Sequence, residues 1–222
     1  MRAAIVVFPG SNRERDMALA CRRAFGSEPQ FVWHQDTTLP DVDFVAVPGG
    51  FSYGDYLRPG AIAARAPIMA AIRAHADAGR PLLGVCNGFQ ILIEAGILEG
   101  ALLRNAALKF VCRETTLVCG AAASPFTHAM LPGTSEMRVP VAHHDGSYFV
   151  TPDQQKMLED QDRIAFRYKA GDNPNGSTAD IAGILNLGRN VLGLMPHPEN
   201  ATDPLSGGED GLALFRNLAD AA

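Results

Sequence analysis

An apolar strand runs straight into an amphipathic helix at Cys86, within Arg80-Pro-Leu-Leu-Gly-Val-Cys-Asn-Gly-Phe-Gln-Ile-Leu-Ile-Glu94. Gly84 and Gly88 stand two residues to either side of the cysteine. That spacing lets the strand and helix backbones meet where any Cβ would collide, as in the serine nucleophile elbow G-x-S-x-G. Such a turn pushes the thiol outward. The first N–H groups of a helix lack internal partners and carry the positive end of its dipole, so a thiolate is favoured there. A free cysteine is also an ordinary small core residue, but the abrupt strand-to-helix context favours a nucleophile.

A cysteine that attacks an acyl carbon needs a base for its proton and a third group to orient that base. Six histidines are available. His34 follows the apolar run Phe31-Val-Trp33, His75 lies in an alanine-rich helical stretch, and His128, His143 and His144 fall in mixed or loop-like segments. Solvated or hydrogen-bonded histidines account for these five. His197 differs, because Met195-Pro-His-Pro-Glu199 follows the apolar run Asn190–Met195 and its flanking prolines restrict the backbone to extended forms. Residues two apart in an extended segment share a face. Glu199 is thus expected to orient one ring nitrogen of His197 and leave the other for Cys86.

The oxyanion formed on attack needs hydrogen-bond donors. The N–H of Asn87, next after the nucleophile, is the first candidate. The buried strand Asp43-Phe-Val-Ala-Val-Pro-Gly-Gly50 ends in two glycines, and Gly50 is the candidate for the second donor.

Gly84-Val-Cys-Asn-Gly-Phe-Gln90 with Pro196-His-Pro-Glu199 resembles the class I (triad) glutamine amidotransferases. Phe8-Pro-Gly-Ser-Asn12, Gly49-Gly-Phe-Ser-Tyr-Gly-Asp55, Leu103-Arg-Asn105 and Asn173-Pro-Asn-Gly-Ser177 extend the resemblance to the glutaminase subunits of phosphoribosylformylglycinamidine synthase, over nearly the whole chain. Two departures stand out: Arg13-Glu14 where a Cys-Asp pair is expected, and His143-His-Asp-Gly146 in place of His-Gly-Glu-Gly. The resemblance implies hydrolysis of glutamine through a Cys86 thioester, with Gln90 helping to hold the substrate. It also implies delivery of ammonia to a synthetase subunit, with a further small subunit in the complex. No cofactor is then expected on this chain; ATP and Mg belong to the partner, which converts formylglycinamide ribonucleotide to its amidine in purine biosynthesis. No G-x-x-x-x-G-K-[ST] phosphate loop occurs in the sequence.

Two other readings fit the elbow less well. A cysteine hydrolase or deglycase-like protein would use another acid–base arrangement than a late-strand Pro-His-Pro-Glu. A non-catalytic scaffolding subunit would not require the full set Cys86, His197 and Glu199.

Composition is compatible with one domain spanning residues 1–222, with 47% hydrophobic residues to fill a core. A formal charge of −5 offers no basic footprint for nucleic acid. No apolar run reaches the roughly 18–20 residues needed to cross a bilayer, and the N-terminus has no signal-peptide layout. The four cysteines show no metal-binding spacing and read as reduced thiols of a cytoplasmic protein.

Strand patterns at 3–8, 30–34, 43–48 and 82–85 alternate with helical ones near 14–25, 61–78 and 88–95. This predicts an α/β fold: a mainly parallel central sheet, flavodoxin-like, with helices on both faces. Runs at 108–118, 181–187 and 191–195 predict additional antiparallel strands, followed by a loop over 198–208 and a closing helix over 208–218.

Overall fold

Continuous apolar runs bounded by polar turns give the first half of the chain three strands buried on both faces, at 3–7, 44–47 and 82–85, beside an edge strand at 30–33 in which only Val32 is buried. The computed structural model describes residues 1–120 and 124–221. In it β1 spans Ala3–Val7, followed by α1 (Glu14–Phe25), β2 (Gln30–Trp33) and β3 (Phe44–Val47). Next come α2 (Met69–Asp77), β4 (Leu82–Val85) and α3 (Asn87–Glu94). The strands of this half, α1 and α3 agree with the sequence pattern to within a residue at each end. The helix expected over 61–78 is shorter, because only Met69–Asp77 is α-helical, behind a 3-10 turn at Ala63–Arg65. Pro67 drives the residue before it out of the helical region, and Ala66 accordingly has φ −66° and ψ 149°.

The second half consists of β5 (Ala101–Leu103), β6 (Val111–Cys119), β7 (Glu136–His143), β8 (Ser147–Phe149), α4 (Pro152–Asp160) and β9 (Ile164–Tyr168). β10 (Ile181–Leu185), β11 (Val191–Leu194) and α5 (Leu212–Asp220) complete it. The sequence pattern does not announce β7, β9 or α4. β7 contains Pro140, which a central strand could not hold; here it lies in the outermost strand, paired on one side only. α4 opens with a capping box in which Thr151 and Gln154 each accept the other's backbone N–H.

Nine strands form one sheet in the order β2-β1-β3-β4-β11-β10-β9-β6-β7, and β5 and β8 form a separate antiparallel pair. The strands from β2 to β11 in this order are parallel, and each later neighbour pairs antiparallel. The expected α/β architecture thus exists as one continuous sheet. α1 buries Met17, Ala20 and Cys21, and ends at Gly26 in the left-handed region with φ 68°. It packs against α5, while α3 packs across β3, β4 and β11. No helix among the described residues is long and apolar enough to cross a membrane.

Sheet order is what builds the site. β3, β4 and β11 are neighbours, in a register that sets both Val47 and Gly193 opposite Gly84. Their carboxyl ends, where open α/β sheets bind ligands, therefore bring Gly49-Gly50, Cys86 and His197 to one place.

Candidate active site

The elbow forms as the glycine spacing requires. Cys86 has φ 51° and ψ −107°, a backbone conformation that a side-chain-bearing residue adopts only when its surroundings enforce it. A Cβ on Gly84 would lie 2.8 Å from the Gly88 carbonyl oxygen and 2.6 Å from Leu92 Cδ1. Gly88 has a different reason: its Cβ would strike the Val47 carbonyl of β3, the strand beside β4. Gly193 is the third requirement, since a Cβ there would enter the Phe89 ring. The Cys86 N–H donates to the Leu194 carbonyl at 2.8 Å, which ties the elbow to β11.

His197 and Glu199 are paired as expected, with Nδ1 2.7 Å from Oε1 and both residues buried. The means of pairing is not the expected one. Pro198–Asn200 is a 3-10 turn, and His197 precedes it with φ −105° and ψ 85°, so Glu199 meets the imidazole across a turn rather than along an extended face. The first part of the predicted 198–208 loop is accordingly core, with Pro198, Glu199, Ala201 and Thr202 buried. The His197 N–H donates to Pro140 of β7 at 2.9 Å, which anchors the segment from the other side. Burial by itself pushes the imidazole down, but Glu199 and Cys86 outweigh it and raise His197 to about 10. The Glu199 carboxylate thus favours the imidazolium form of the ring. Nε2 of the ring and Oε2 of Glu199 are buried, and Cys86 raises the ring both by its charge and by a weak side-chain hydrogen bond, while its Sγ faces the Ala142 carbonyl at 4.0 Å.

Both candidate oxyanion donors lie at this point. Asn87 opens α3, where N–H groups are unpaired. Its side chain locks the neighbouring loop: Oδ1 accepts from the Ser52 N–H at 3.0 Å and Nδ2 donates to Gln90 Oε1 at 2.9 Å. Gly50 has φ 155°, and a Cβ there would lie 2.6 Å from the Gly10 carbonyl oxygen. The bonds on either side of it, Phe51 N–H to Gly10 and Asn12 N–H to Gly49, are 2.9 and 3.2 Å. They clamp the loop and leave the Gly50 N–H without a backbone partner among the described residues.

Cys86 stands where two arms of one cleft meet. A cavity of about 80 Å³ is lined by Asn12, Arg13, Gly50, Phe51, Cys86, Phe110, Ala142 and His197. The narrower arm shares Gly50, Phe51, Cys86 and Ala142 and continues to Asp55, Gln90 and His143–Asp145. Larger hollows of about 430 and 560 Å³ flank residues 37–40, but neither contains a cysteine. Gln90 lines the narrow arm with its amide already engaged, Nε2 donating to the Asp145 carbonyl at 2.7 Å.

Sequence reasoning quoted Asp55 only as the end of the Gly49–Asp55 motif and gave it no place in the site, and it did not single out Phe110 or Ala142, which no local pattern marks. The departures it flagged take definite places. Arg13 lines the wide arm and pairs with Asp16 at 3.3 Å. His143 is buried behind the narrow arm: Nδ1 donates to Asn105 Oδ1 at 3.1 Å and Nε2 accepts from Asn175 Nδ2 at 3.4 Å. Asn105 and Asn175, from two motifs without an evident role in the sequence, thus hold a neutral imidazole. Burial and the positive charge of His197 push His143 down to about 4. His34 bonds Tyr53 Oη at 2.7 Å, His75 bonds the Pro81 carbonyl at 3.1 Å, and His128 is exposed; none of the three enters the cleft.

The arrangement has the parts of a thiol acyl-transfer centre. Residues 1–209 match the model of the CobB/CobQ-like glutamine amidotransferase domain. The phosphoribosylformylglycinamidine synthase subunit PurQ of Brucella suis biovar 1 (strain 1330) is 56% identical over 97% of this chain and 96% of its own length. That of Ruegeria sp. (strain TM1040) is 57% identical over 99% and 97%. In the solved structure of PurLQS from Thermotoga maritima, one chain superposes with a TM-score of 0.90 at 44% identity, covering 99% of this chain and 98% of that one. With a family model matching residues 1–209 and relatives of 56–57% identity over nearly all of it, the chain belongs to the CobB/CobQ-like glutamine amidotransferase family, among the PurQ subunits of phosphoribosylformylglycinamidine synthase.

Proposed function

We propose that the chain is the glutaminase subunit of phosphoribosylformylglycinamidine synthase: it hydrolyses glutamine to glutamate and ammonia and passes the ammonia to a synthetase subunit. The observation that carries this is the buried His197–Glu199 pair beside an elbow cysteine in a chain 56% identical to such subunits. Cys86 gives its thiol proton to the imidazole of His197 and attacks the side-chain amide carbon, and the N–H groups of Asn87 and Gly50 receive the oxyanion. The His197 imidazolium formed in that step, oriented by Glu199, gives the proton to the departing ammonia. A water that returns a proton to the same imidazole then attacks the thioester carbonyl, releasing glutamate and the thiol. Gln90 borders the arm that receives glutamine and fixes the Asp145 segment.

The synthetase subunit supplies the ATP and Mg site and the acceptor, formylglycinamide ribonucleotide; this chain carries no cofactor, and a further small subunit completes the complex. Phe51 and Phe110, 44% and 50% exposed at the rim of the wide arm, suit a partner that covers the mouth. The reading places the chain in the cytoplasm, where thiols stay reduced.

Cys86→Ala in the assembled complex tests it. Glutamine-dependent amidine formation should vanish, while the reaction driven by added ammonium salt continues. Glutamine-dependent synthesis that persists in this variant would refute the assignment.

A further inference from the structure

The loop that follows β3 carries Gly50 and holds a conformation that its own residues oppose. Beyond Gly50 it enters a 3-10 turn over Ser52–Asp55, in which Tyr53 has φ 53° and ψ 26°. Asp55 has φ 55° and Leu57 has φ 67°. Three residues with side chains thus occupy the left-handed region within five positions, where a Cβ crowds the following carbonyl. The Ser52 hydroxyl adds to the cost, being buried with no hydrogen-bond partner among the described residues. Such a loop persists only where its surroundings enforce it.

Backbone bonds pin one side of the loop. The Phe51 N–H donates to the Gly10 carbonyl at 2.9 Å and the Tyr53 N–H to the Pro9 carbonyl at 2.7 Å, while the Ser52 N–H donates to Asn87 Oδ1 at 3.0 Å. A side chain holds the strained residue itself: Tyr53 Oη lies 2.7 Å from His34 Nδ1, and the two rings meet edge to face with centroids 5.5 Å apart. The imidazole is fixed in turn. His34 is buried at the end of β2, its N–H donates to the Val7 carbonyl of β1 at 3.0 Å, and its ring stacks on Phe8 at 6.0 Å and meets Trp33 at 4.5 Å. The first two strands thereby supply a rigid post for the phenol. Farther along, Arg58 pairs with Glu94 at 2.6 Å, but its guanidinium is exposed and such a pair holds little.

We propose that Tyr53, through its hydroxyl on His34, is a positioning residue for the oxyanion donor: the contact holds the loop in the strained turn that keeps Gly50 at the Cys86 cleft. This rests on the glutaminase reading above and adds a pair outside the cleft on which that chemistry depends. Neither Tyr53 nor His34 lines either arm, so both act through Gly50 rather than on the substrate. Gly50 is three residues from Tyr53, and the backbone bonds of Phe51 and Tyr53 carry the segment between them as one piece. Release of the phenol lets the left-handed residues relax, and Gly50, with no Cβ to resist, turns with them.

The test uses the full chain assembled with its synthetase subunit and separates two reactions of Cys86. Glutamine hydrolysis forms an oxyanion; alkylation by iodoacetamide, in which the thiolate displaces iodide, forms none. Tyr53→Phe keeps the ring and removes the hydroxyl. Its kcat for glutamine should fall by about three- to ten-fold, the population shift that one lost hydrogen bond gives in a poised loop, while KM and the alkylation rate stay at the values of the unsubstituted complex. His34→Asn leaves the loop sequence intact and keeps a hydrogen-bonding group near the Nδ1 position, so it should retain more of kcat than His34→Leu. Tyr53→Phe combined with His34→Leu should be no slower than His34→Leu alone, because the two changes remove one contact. An unimpaired kcat in Tyr53→Phe overturns the proposal, as do additive losses in the double variant. A loss confined to KM, or alkylation that slows in step with kcat, overturns it too, by placing the effect on substrate binding or on the thiol. No hydrolysis of glutamine by the unsubstituted complex overturns the glutaminase reading itself.

Discussion

His197 Nδ1 lies 2.7 Å from Glu199 Oε1, two residues away across a 3-10 turn, with both side chains nearly inaccessible to solvent. Such a pair fixes the ring orientation and stabilises the imidazolium when the ring takes up a proton. The residues differ in consequence, because His197 carries the proton whereas Glu199 only positions the carrier. His197→Ala should therefore be the worse lesion. Loss of the orienting carboxylate in a serine triad still lowers turnover by roughly 10⁴, so Glu199→Ala should also be severe. Single-turnover glutamate release from folded variants measures the order, and equal or reversed rates would contradict these roles.

Gly49 is a second test of geometry. A Cβ added there would lie 2.7 Å from His197 Cε1 and 3.4 Å from Cys86 Cβ. The imidazole must shift, and a displacement of about 1 Å at a reacting group can lower the rate by about 10²-fold. Gly49→Ala should lose about that much in kcat while its thermal unfolding midpoint changes little, since its backbone is not in the left-handed region. An unimpaired kcat would mean that the ring has slack the packing does not suggest.

Stability should fall in mild acid through His143. Its pKa is lowered from 6.5 to about 4 in the folded chain, by burial and then by His197. Above pH 6.5 neither state binds the proton. Between 6.5 and 4 the unfolded chain takes it up and the folded chain does not, so stability drops as pH falls through this window, by roughly 3 kcal/mol in all. His143→Gln removes the titration, and its stability should lose that acid limb. Chemical denaturation at several pH values reads the difference; parallel curves for the two proteins would place the proton elsewhere.

The last expectation concerns coupling to the partner. Gly50 offers an N–H with no backbone partner among the described residues, at φ 155°, a conformation that glycine adopts at little cost, and one missing oxyanion donor lowers rate by about 10²–10³. The chain alone should hydrolyse glutamine slowly and bind no ATP, whereas the synthetase with its nucleotide ligands should stimulate it strongly. Calorimetry and a glutamate-release assay check both parts. Full activity in the lone chain, unaltered by the partner, would show that the donors are preset.

Local rules determined much of this protein in advance. The Gly84–Cys86–Gly88 spacing specified an elbow because only glycine tolerates those approaches, and apolar runs specified β1, β3 and β4 because strands buried on both faces need little else. Pro-His-Pro-Glu identified His197 and Glu199 as partners, although the turn that joins them could not be distinguished from an extended segment by proline alone. Tertiary structure decided what is non-local. Only sheet order makes β3, β4 and β11 neighbours, and therefore only the folded chain brings Gly50, Cys86 and His197 together. Gly193 shows no purpose until Phe89 packs on it. β7 is illegible because Pro140 argues against a strand until the sheet places it at an edge. Asp55 and Asp145 face one cavity from segments far apart in the chain, and no periodicity encodes that meeting, since it arises from long-range packing rather than from local backbone preference.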